Sequence, residues 1–230
     1  MCNGHYEVPK MPEIAGVEKF AGRLMHSQQY TEAKEFAGKT VAILGAKHSG
    51  YDIGLELSRV CTKIYSIGRV HRDPTTPTGP KGNIHVIKGE IIEYLGPKSF
   101  KIKDVKGNGE EIEIDEVDVV MYATGYLYDF EIINNKLPDW KWKDNIAYPL
   151  YKNLFYTHDP TLIFTGLPFM IIPLPLLECQ AIVVAEHLGG KVTLPSSVDM
   201  KAEVDDEIAE FMANKPADQP LRYFTAYSSK

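Results

Sequence analysis

Gly45-Ala46-Lys47-His48-Ser49-Gly50 is a group of residues suited to holding an anion rather than to attacking a bond. The group stands between an apolar, β-branched run, Thr40 to Leu44 (T-V-A-I-L), and the stretch Ser49 to Val60. In that stretch Ile53, Leu55, Leu57 and Val60 supply the apolar face of a helix. A glycine turn that follows a strand and opens a helix is the context in which such a motif binds a dinucleotide. Gly45 permits the tight turn, and Gly50 permits close packing of helix on strand. The N–H groups of the first helical turn, near Ser49 to Tyr51, offer a site for a pyrophosphate, with Ser49 as N-cap or first-turn residue. The pattern departs from G-x-G-x-x-G at its second glycine, where Lys47 stands. A side chain there crowds a pyrophosphate, and the lysine's charge compensates in part. A turn that binds nothing would use the same residues, so the motif alone leaves both readings open.

Arg69 follows a second strand, Lys63 to Ile67. An acidic residue in that region serves the ribose 2′-hydroxyl of NAD, whereas an arginine suits the 2′-phosphate of NADP. His71 and Arg72 add positive charge nearby, although a solvated basic turn would look the same. His48, His85, His158 and His187 lack metal-ligand spacing, so no metal site is expected. There is no G-x-S-x-G elbow, and no catalytic residue is assigned. Cys2, Cys61 and Cys179 form no C-x-x-C pair and read as free thiols.

The elements that must position these residues form a strand–turn–helix–strand unit over 40–67, the start of a Rossmann-type fold. Before it, 1–38 read as loops and turns punctuated by Pro9, Pro12, Gly16 and Gly22. After it, Asp73 to Gly82 reads as an exposed loop with three prolines. Strands are expected near 84–87, 90–95, 99–105, 111–114 and 117–121, as a small antiparallel meander turning at Gly107-Asn108-Gly109. The segment 127–158 is irregular and rich in aromatics, and Leu162 to Thr165 reads as a buried strand. A helix is expected over Leu176 to Leu188, closed by Gly189-Gly190. A second, acidic helix is expected over Met200 to Ala213, with Val204, Ile208, Phe211 and Met212 facing inward. The tail 214–230 is expected to pack poorly. With 230 residues, 44% hydrophobic and 24% charged, the chain can bury a core. A net charge of -6 and pI near 5.7 argue against a nucleic-acid footprint. The most apolar run, Leu162 to Leu177, is interrupted by Gly166, Pro168, Pro173 and Pro175, so it predicts no membrane span.

Phe20 to Tyr30 spells F-x-G-x-x-x-H-x-x-x-Y, which resembles the signature of the flavin-containing monooxygenase family. The related Baeyer–Villiger monooxygenases carry Trp where Tyr30 stands. Ala123-Thr124-Gly125-Tyr126 resembles the family's A-T-G-Y element, which joins its NADP domain back to its FAD domain. Cys2-Asn3-Gly4-His5-Tyr6 and Leu162 to Pro168 resemble family strand ends, and Glu178-Cys179-Gln180 resembles a helix start near the flavin. The likeness covers nearly all of 1–197.

The resemblance implies an α/β fold: a Rossmann-like NADP-binding domain at 33–125 and, at 126–230, the C-terminal part of an incomplete FAD-binding α/β domain. Residues 1–32 would be a remnant of that FAD domain plus the signature. It implies FAD and NADP as cofactors, held through Gly45, Ala46, Lys47, His48, Ser49, Gly50, Arg69, Arg72, Thr124, Gly125 and Gln180. It implies a small-molecule substrate, an amine or sulfide, oxygenated at N or S with NADPH and O₂. It places the parent protein in the cytoplasm or at the endoplasmic reticulum and leaves the oligomer open. His26 is expected to position the chain rather than to move protons. The family's FAD-binding glycine loop has no counterpart in the sequence, so the chain reads as a fragment beginning after it. Such a fragment should hold flavin weakly and expose apolar surface. The alternative is an inactive remnant or an NADP-binding module without oxygenase activity.

Overall fold

The computed structural model describes residues 1–2, 4–69, 79–104, 109–133, 136–143, 146–168 and 171–216. They form two compact units: Pro9–Gly125, and Met1–Val8 together with Tyr126–Lys230. Residues 9–32, grouped above with an FAD-domain remnant, pack in the first of these units.

That unit is built on seven strands: β1 (Arg23–His26), β2 (Thr40–Leu44), β3 (Lys63–Gly68), β4 (Ile84–Gly96), β5 (Ser99–Asp104), β6 (Glu111–Ile114) and β7 (Val119–Tyr122). Their spatial order is β1-β7-β2-β3-β4-β5-β6. From β1 across to the start of β4 the pairing is parallel; from the far half of β4 onward it is antiparallel. All four residues of β7 are buried, as are Val41, Ala42 and Ile43 of β2, which suits strands covered on both faces. The period-2 alternation divides them. Val41, Ile43, Val119 and Met121 join Met25, Phe36, Leu57 and Ile64 on one face. Ala42, Val120 and Tyr122 join Phe20, Ile67, Tyr94, Phe100 and Ile102 on the other. Within that second cluster the Tyr94 and Tyr122 hydroxyls meet at 2.6 Å, so two buried phenols satisfy each other.

Three expectations are corrected here. The strands placed at 84–87 and 90–95 are a single strand, β4, whose two halves have different partners. The 117–121 segment is not the end of a meander: β7 (119–122) lies inside the parallel sheet, with Val119 opposite both Val41 and Arg23. The stretch 1–38 is not all loop, because β1 forms the sheet edge. Four residues are too few to show a period, and β1 is fixed by its partner β7. Most of the proline-rich loop (70–78) and of the glycine turn (105–108) lies outside the described residues.

The other unit gathers Tyr128, Phe130, Ile133, Ala147, Leu150, Tyr156, Phe164 and Leu167 into its core. It has two short antiparallel ribbons, β8 (Lys141–Lys143) with β9 (Ile146–Tyr148) and β10 (Leu150–Tyr151) with β11 (Phe155–Tyr156). Leu162 to Thr165 forms no ladder strand among the described residues: it has an isolated bridge, Ile163 to Phe155, and backbone bonds to Leu154, Tyr156 and Met1, with Phe164 fully buried. Among the described residues the α-helices are α1 (His48–Leu57) in the sheet unit, and α2 (Pro173–Leu188) and α3 (Ser197–Asn214) here. α2 starts three residues before the expected 176, because the first helical turn tolerates proline, which lacks an N–H to leave unpaired. Its Leu174, Ile182 and Leu188 are 79%, 57% and 68% exposed, so an apolar helix stands with much of its surface uncovered. α3 is capped by Ser196, whose hydroxyl accepts from the Asp199 N–H at 3.2 Å. Met200 and Val204 are its buried residues, whereas Met212, expected to face inward, is 45% exposed. Lys152 binds Glu203 and Glu207 along α3, and the Tyr148 hydroxyl donates to Asp205 at 2.6 Å. Residues 217–230 lie outside the described residues.

Candidate functional site

The glycine turn sits at the C-terminal edge of the parallel strands, where β2, β3 and β7 end side by side. Gly45 leaves β2 with φ 113° and donates its N–H to the Ile67 carbonyl at 2.8 Å. A side chain at Gly45 would place its Cβ 2.2 Å from the Ala123 carbonyl oxygen, just past β7. At Gly50 a Cβ would lie 1.7 Å from the Gly45 oxygen, and at Gly68 one would lie 2.9 Å from the Ala46 Cβ. Three glycines thus let a helix and three strand ends close on one point.

α1 begins at that point. Its N-cap is Lys47, and no side chain caps the first turn. The N-terminal N–H groups carry the positive end of the helix dipole, which is the physical basis of an anion site. Lys47, His48 and Ser49 are exposed, while Ala46 and Gly50 are buried. Ser49 is therefore a first-turn residue rather than the cap. The backbone at Lys47 is extended (φ -86°, ψ -160°), so the chain itself needs no glycine at this place in the motif.

Arg69 follows β3 directly. The register that pairs Leu44 with Ile67 and Gly68 with Lys88 puts Arg69 at the edge that holds the glycine turn. Its guanidinium donates through Nε at 2.9 Å and Nη2 at 2.5 Å to one oxygen of Glu90. Arg72 and His71 lie outside the described residues.

Thr124 and Gly125 do different work from the turn. The Thr124 hydroxyl donates to the Lys10 carbonyl at 2.5 Å, and the Gly125 carbonyl accepts from the Lys10 N–H at 2.9 Å. His26 Nε2 lies 3.0 Å from the Gly125 carbonyl. His26 Nδ1 accepts from the Gln28 N–H at 3.1 Å, which leaves the proton on Nε2 for donation to Gly125. Burial lowers the His26 pKa, against the pull of the Gly125 bond. The signature histidine is thus a neutral clamp holding the end of β1 to the segment after β7. Gln180 belongs to the other unit, where it is buried and accepts from the Gly166 N–H at 2.9 Å. In that unit burial also lowers the His5 pKa, opposed by a bond to Gly166.

Of the sequence-predicted residues, Gly45 to Gly50 and Arg69 gather at one edge, Thr124 and Gly125 clasp the chain beside it, and Gln180 stands in the other unit. Gly68 and Glu90 are not among them, and Ala123 entered only as the first residue of the A-T-G-Y element. The signal for Gly68 was a glycine ending a strand; Glu90 had none, because its relevance depends on strand order.

The residues fit a dinucleotide phosphate: an uncapped helix start, a turn closed by glycines and an arginine at its rim. They do not fit a whole FAD site, because among the described residues this is the sole strand–glycine turn–helix unit and a second cradle is not present. Among the described residues no group of His, Cys, Asp and Glu could hold a metal, and no helix is long and apolar enough to cross a membrane.

The family model for flavin-binding monooxygenase-like proteins matches residues 1–70 and 87–221. A flavin-containing monooxygenase of Arabidopsis thaliana, FMO GS-OX-like 4, is 32% identical over 208 residues, 89% of this chain and 44% of its own. The trimethylamine monooxygenase of Pelagibacter sp. (strain HTCC7211) is 30% identical over 100% of this chain and 49% of its own. Among solved structures, S-allyl-L-cysteine S-oxygenase from Allium sativum superposes with a TM-score of 0.81 at 30% identity, covering 98% of this chain and 49% of that one. The chain spans about half the length of the relatives it matches. The match runs through the signature and the glycine turn on one side of Arg72 and through the Ala123–Tyr126 element on the other. The chain belongs to the flavin-binding monooxygenase-like family, oxidoreductases that work with FAD and NADP.

Proposed function

We propose that the Pro9–Gly125 unit binds NADP(H), as the nucleotide-binding part of a flavin-dependent monooxygenase acting on a small amine or sulfide. The N-terminus of α1 receives the pyrophosphate, and Arg69 receives the 2′-phosphate. The observation that carries this reading is the turn itself: Gly50 approaches Gly45 so closely that no side chain fits, and the helix start above it has no side-chain cap. That arrangement presents backbone N–H groups to an anion at low steric cost. NADPH supplies a hydride to flavin in such enzymes, and the cofactors carry the redox chemistry. The contribution of these residues is to bind the nucleotide and fix its orientation. Lys47, at the rim, adds a cation where many dinucleotide turns have glycine. Relatives named for trimethylamine and for S-allyl-L-cysteine support nitrogen and sulfur as the atoms oxygenated.

A second reading, a nucleotide-binding module without oxygenase activity of its own, is favoured by the single phosphate cradle among the described residues. One experiment separates them. The purified 230-residue chain is titrated with NADP⁺ by calorimetry, and its flavin absorbance is measured. NADP⁺ binding with FAD at near one per chain supports the oxygenase, and NADP⁺ binding without flavin supports the module. Binding of neither refutes both.

A further inference from the structure

We infer that Glu90 is a specificity-determining residue for the nucleotide, tempering the preference for NADP over NAD by neutralising Arg69. This rests on the reading of the Gly45–Gly50 turn as an NADP site. Glu90 is not on the strand that carries Arg69. It lies on β4, two residues past Lys88, and the parallel pairing of Gly68 with Lys88 brings it alongside Arg69. Both Arg69 contacts end on a single Glu90 oxygen, one from Nε and one from Nη2. They occupy one side of the guanidinium and, among the described residues, leave the Nη1 N–H groups and the second Nη2 N–H for another acceptor. The arginine therefore need not leave Glu90 to meet a phosphate, and the phosphate meets a charge pair rather than a lone cation.

The electrostatics decide the sign. A 2′-phosphate carries close to two negative charges at neutral pH. It is drawn to Arg69 and repelled by the carboxylate bound to it. Both side chains reach solvent, at 71% and 36% exposure, so the pair gains little stability from its own contact. NAD has no phosphate at that position and is insensitive to the balance. Were Glu90 only an anchor that orders a floppy arginine, its removal would weaken NADP instead, so the two roles predict opposite outcomes.

The test is calorimetric titration of the 230-residue chain and its Glu90→Gln and Arg69→Gln variants with NADP⁺ and with NAD⁺, at low and physiological salt. Glu90→Gln should bind NADP⁺ about threefold to fivefold more tightly, as expected for one exposed charge contact. Its NAD⁺ affinity should stay unchanged, and the gain should shrink as salt rises. Arg69→Gln should lose about tenfold in NADP⁺ affinity, the scale of a charge-assisted phosphate contact, and keep its NAD⁺ affinity. If the parent chain binds NADP⁺ measurably and Glu90→Gln binds it equally or more weakly, the role of Glu90 is overturned while the NADP site stands. If the parent chain binds neither nucleotide, the NADP site falls and the inference falls with it.

Discussion

Replacing Gly50 with alanine tests whether the closure of the turn is a steric fact. The new Cβ would sit 1.7 Å from the Gly45 carbonyl oxygen, where contacts under 3.0 Å are essentially never seen. The start of α1 would have to move by more than an ångström. The obstacle is backbone and cannot rotate away. Gly45 is itself held by its bond to Ile67, and its own Cβ position lies 2.2 Å from the Ala123 oxygen. Overpacking of this kind costs about 3 kcal/mol or more. The better helix propensity of alanine returns about 1 kcal/mol, so a net loss of about 2 kcal/mol or more is expected. Gly54, one turn along the same helix, provides the control. A Cβ there would meet only the Ile43 Cδ1 at 3.4 Å, an ordinary contact. Gly54→Ala should be neutral or stabilise by about 0.5 kcal/mol. Urea denaturation followed by circular dichroism reads both, and NADP⁺ titration should show binding lost in Gly50→Ala and kept in Gly54→Ala. Equal midpoints for the two variants would refute the steric argument.

Other outcomes follow from the same geometry. His26→Ala removes two side-chain hydrogen bonds and a buried ring, and should cost about 2–4 kcal/mol in urea denaturation. His26 and His5 have lowered folded pKa values, so the unfolded chain takes up protons first on acidification. Stability is then intact above pH ~6.5 and declines as pH falls from there through the folded values. A urea-midpoint series from pH 8 to 5 checks this, and a His26→Gln variant should show a shallower decline. Tyr94→Phe leaves the buried Tyr122 hydroxyl without its partner and should cost about 1–2 kcal/mol. Adding Tyr122→Phe should recover part of that loss, and a double-mutant cycle showing strict additivity would contradict the pairing.

The parts legible in the sequence are those set by local order. Strand, glycine turn, helix and second strand follow one another within 40–68, and Gly45, Gly50 and Arg69 could be read from their places in or just after that run. The signature histidine also announced a structural role, and His26 has one in its bond to the Gly125 carbonyl. The sheet order was not legible, because β7 enters between β1 and β2 from about a hundred residues away in the chain, and pairing of that kind leaves no periodic trace. The expected break between 87 and 90 falls at Gly89, inside β4. Gly89 instead lets β5 come close, since a Cβ there would lie 2.6 Å from the Lys103 oxygen. Glu90 was invisible for the same reason: its meeting with Arg69 depends on which strands are neighbours.

The division of the chain also sets an order of events during synthesis. Pro9–Gly125 is continuous and closes on itself through the bond from Lys10 to Gly125, so it has every residue it needs once Gly125 has emerged. The other unit begins with Met1–Val8 and cannot use that segment until much later. Met1 donates its nitrogen to the Ile163 carbonyl and accepts from the Thr165 N–H, partners more than 160 residues away. At common translation rates the Met1–Val8 segment waits roughly ten to thirty seconds for them. The sheet unit thus has all its residues while most of the other unit is still to be made, and Met1 lacks its Ile163 and Thr165 partners throughout that interval.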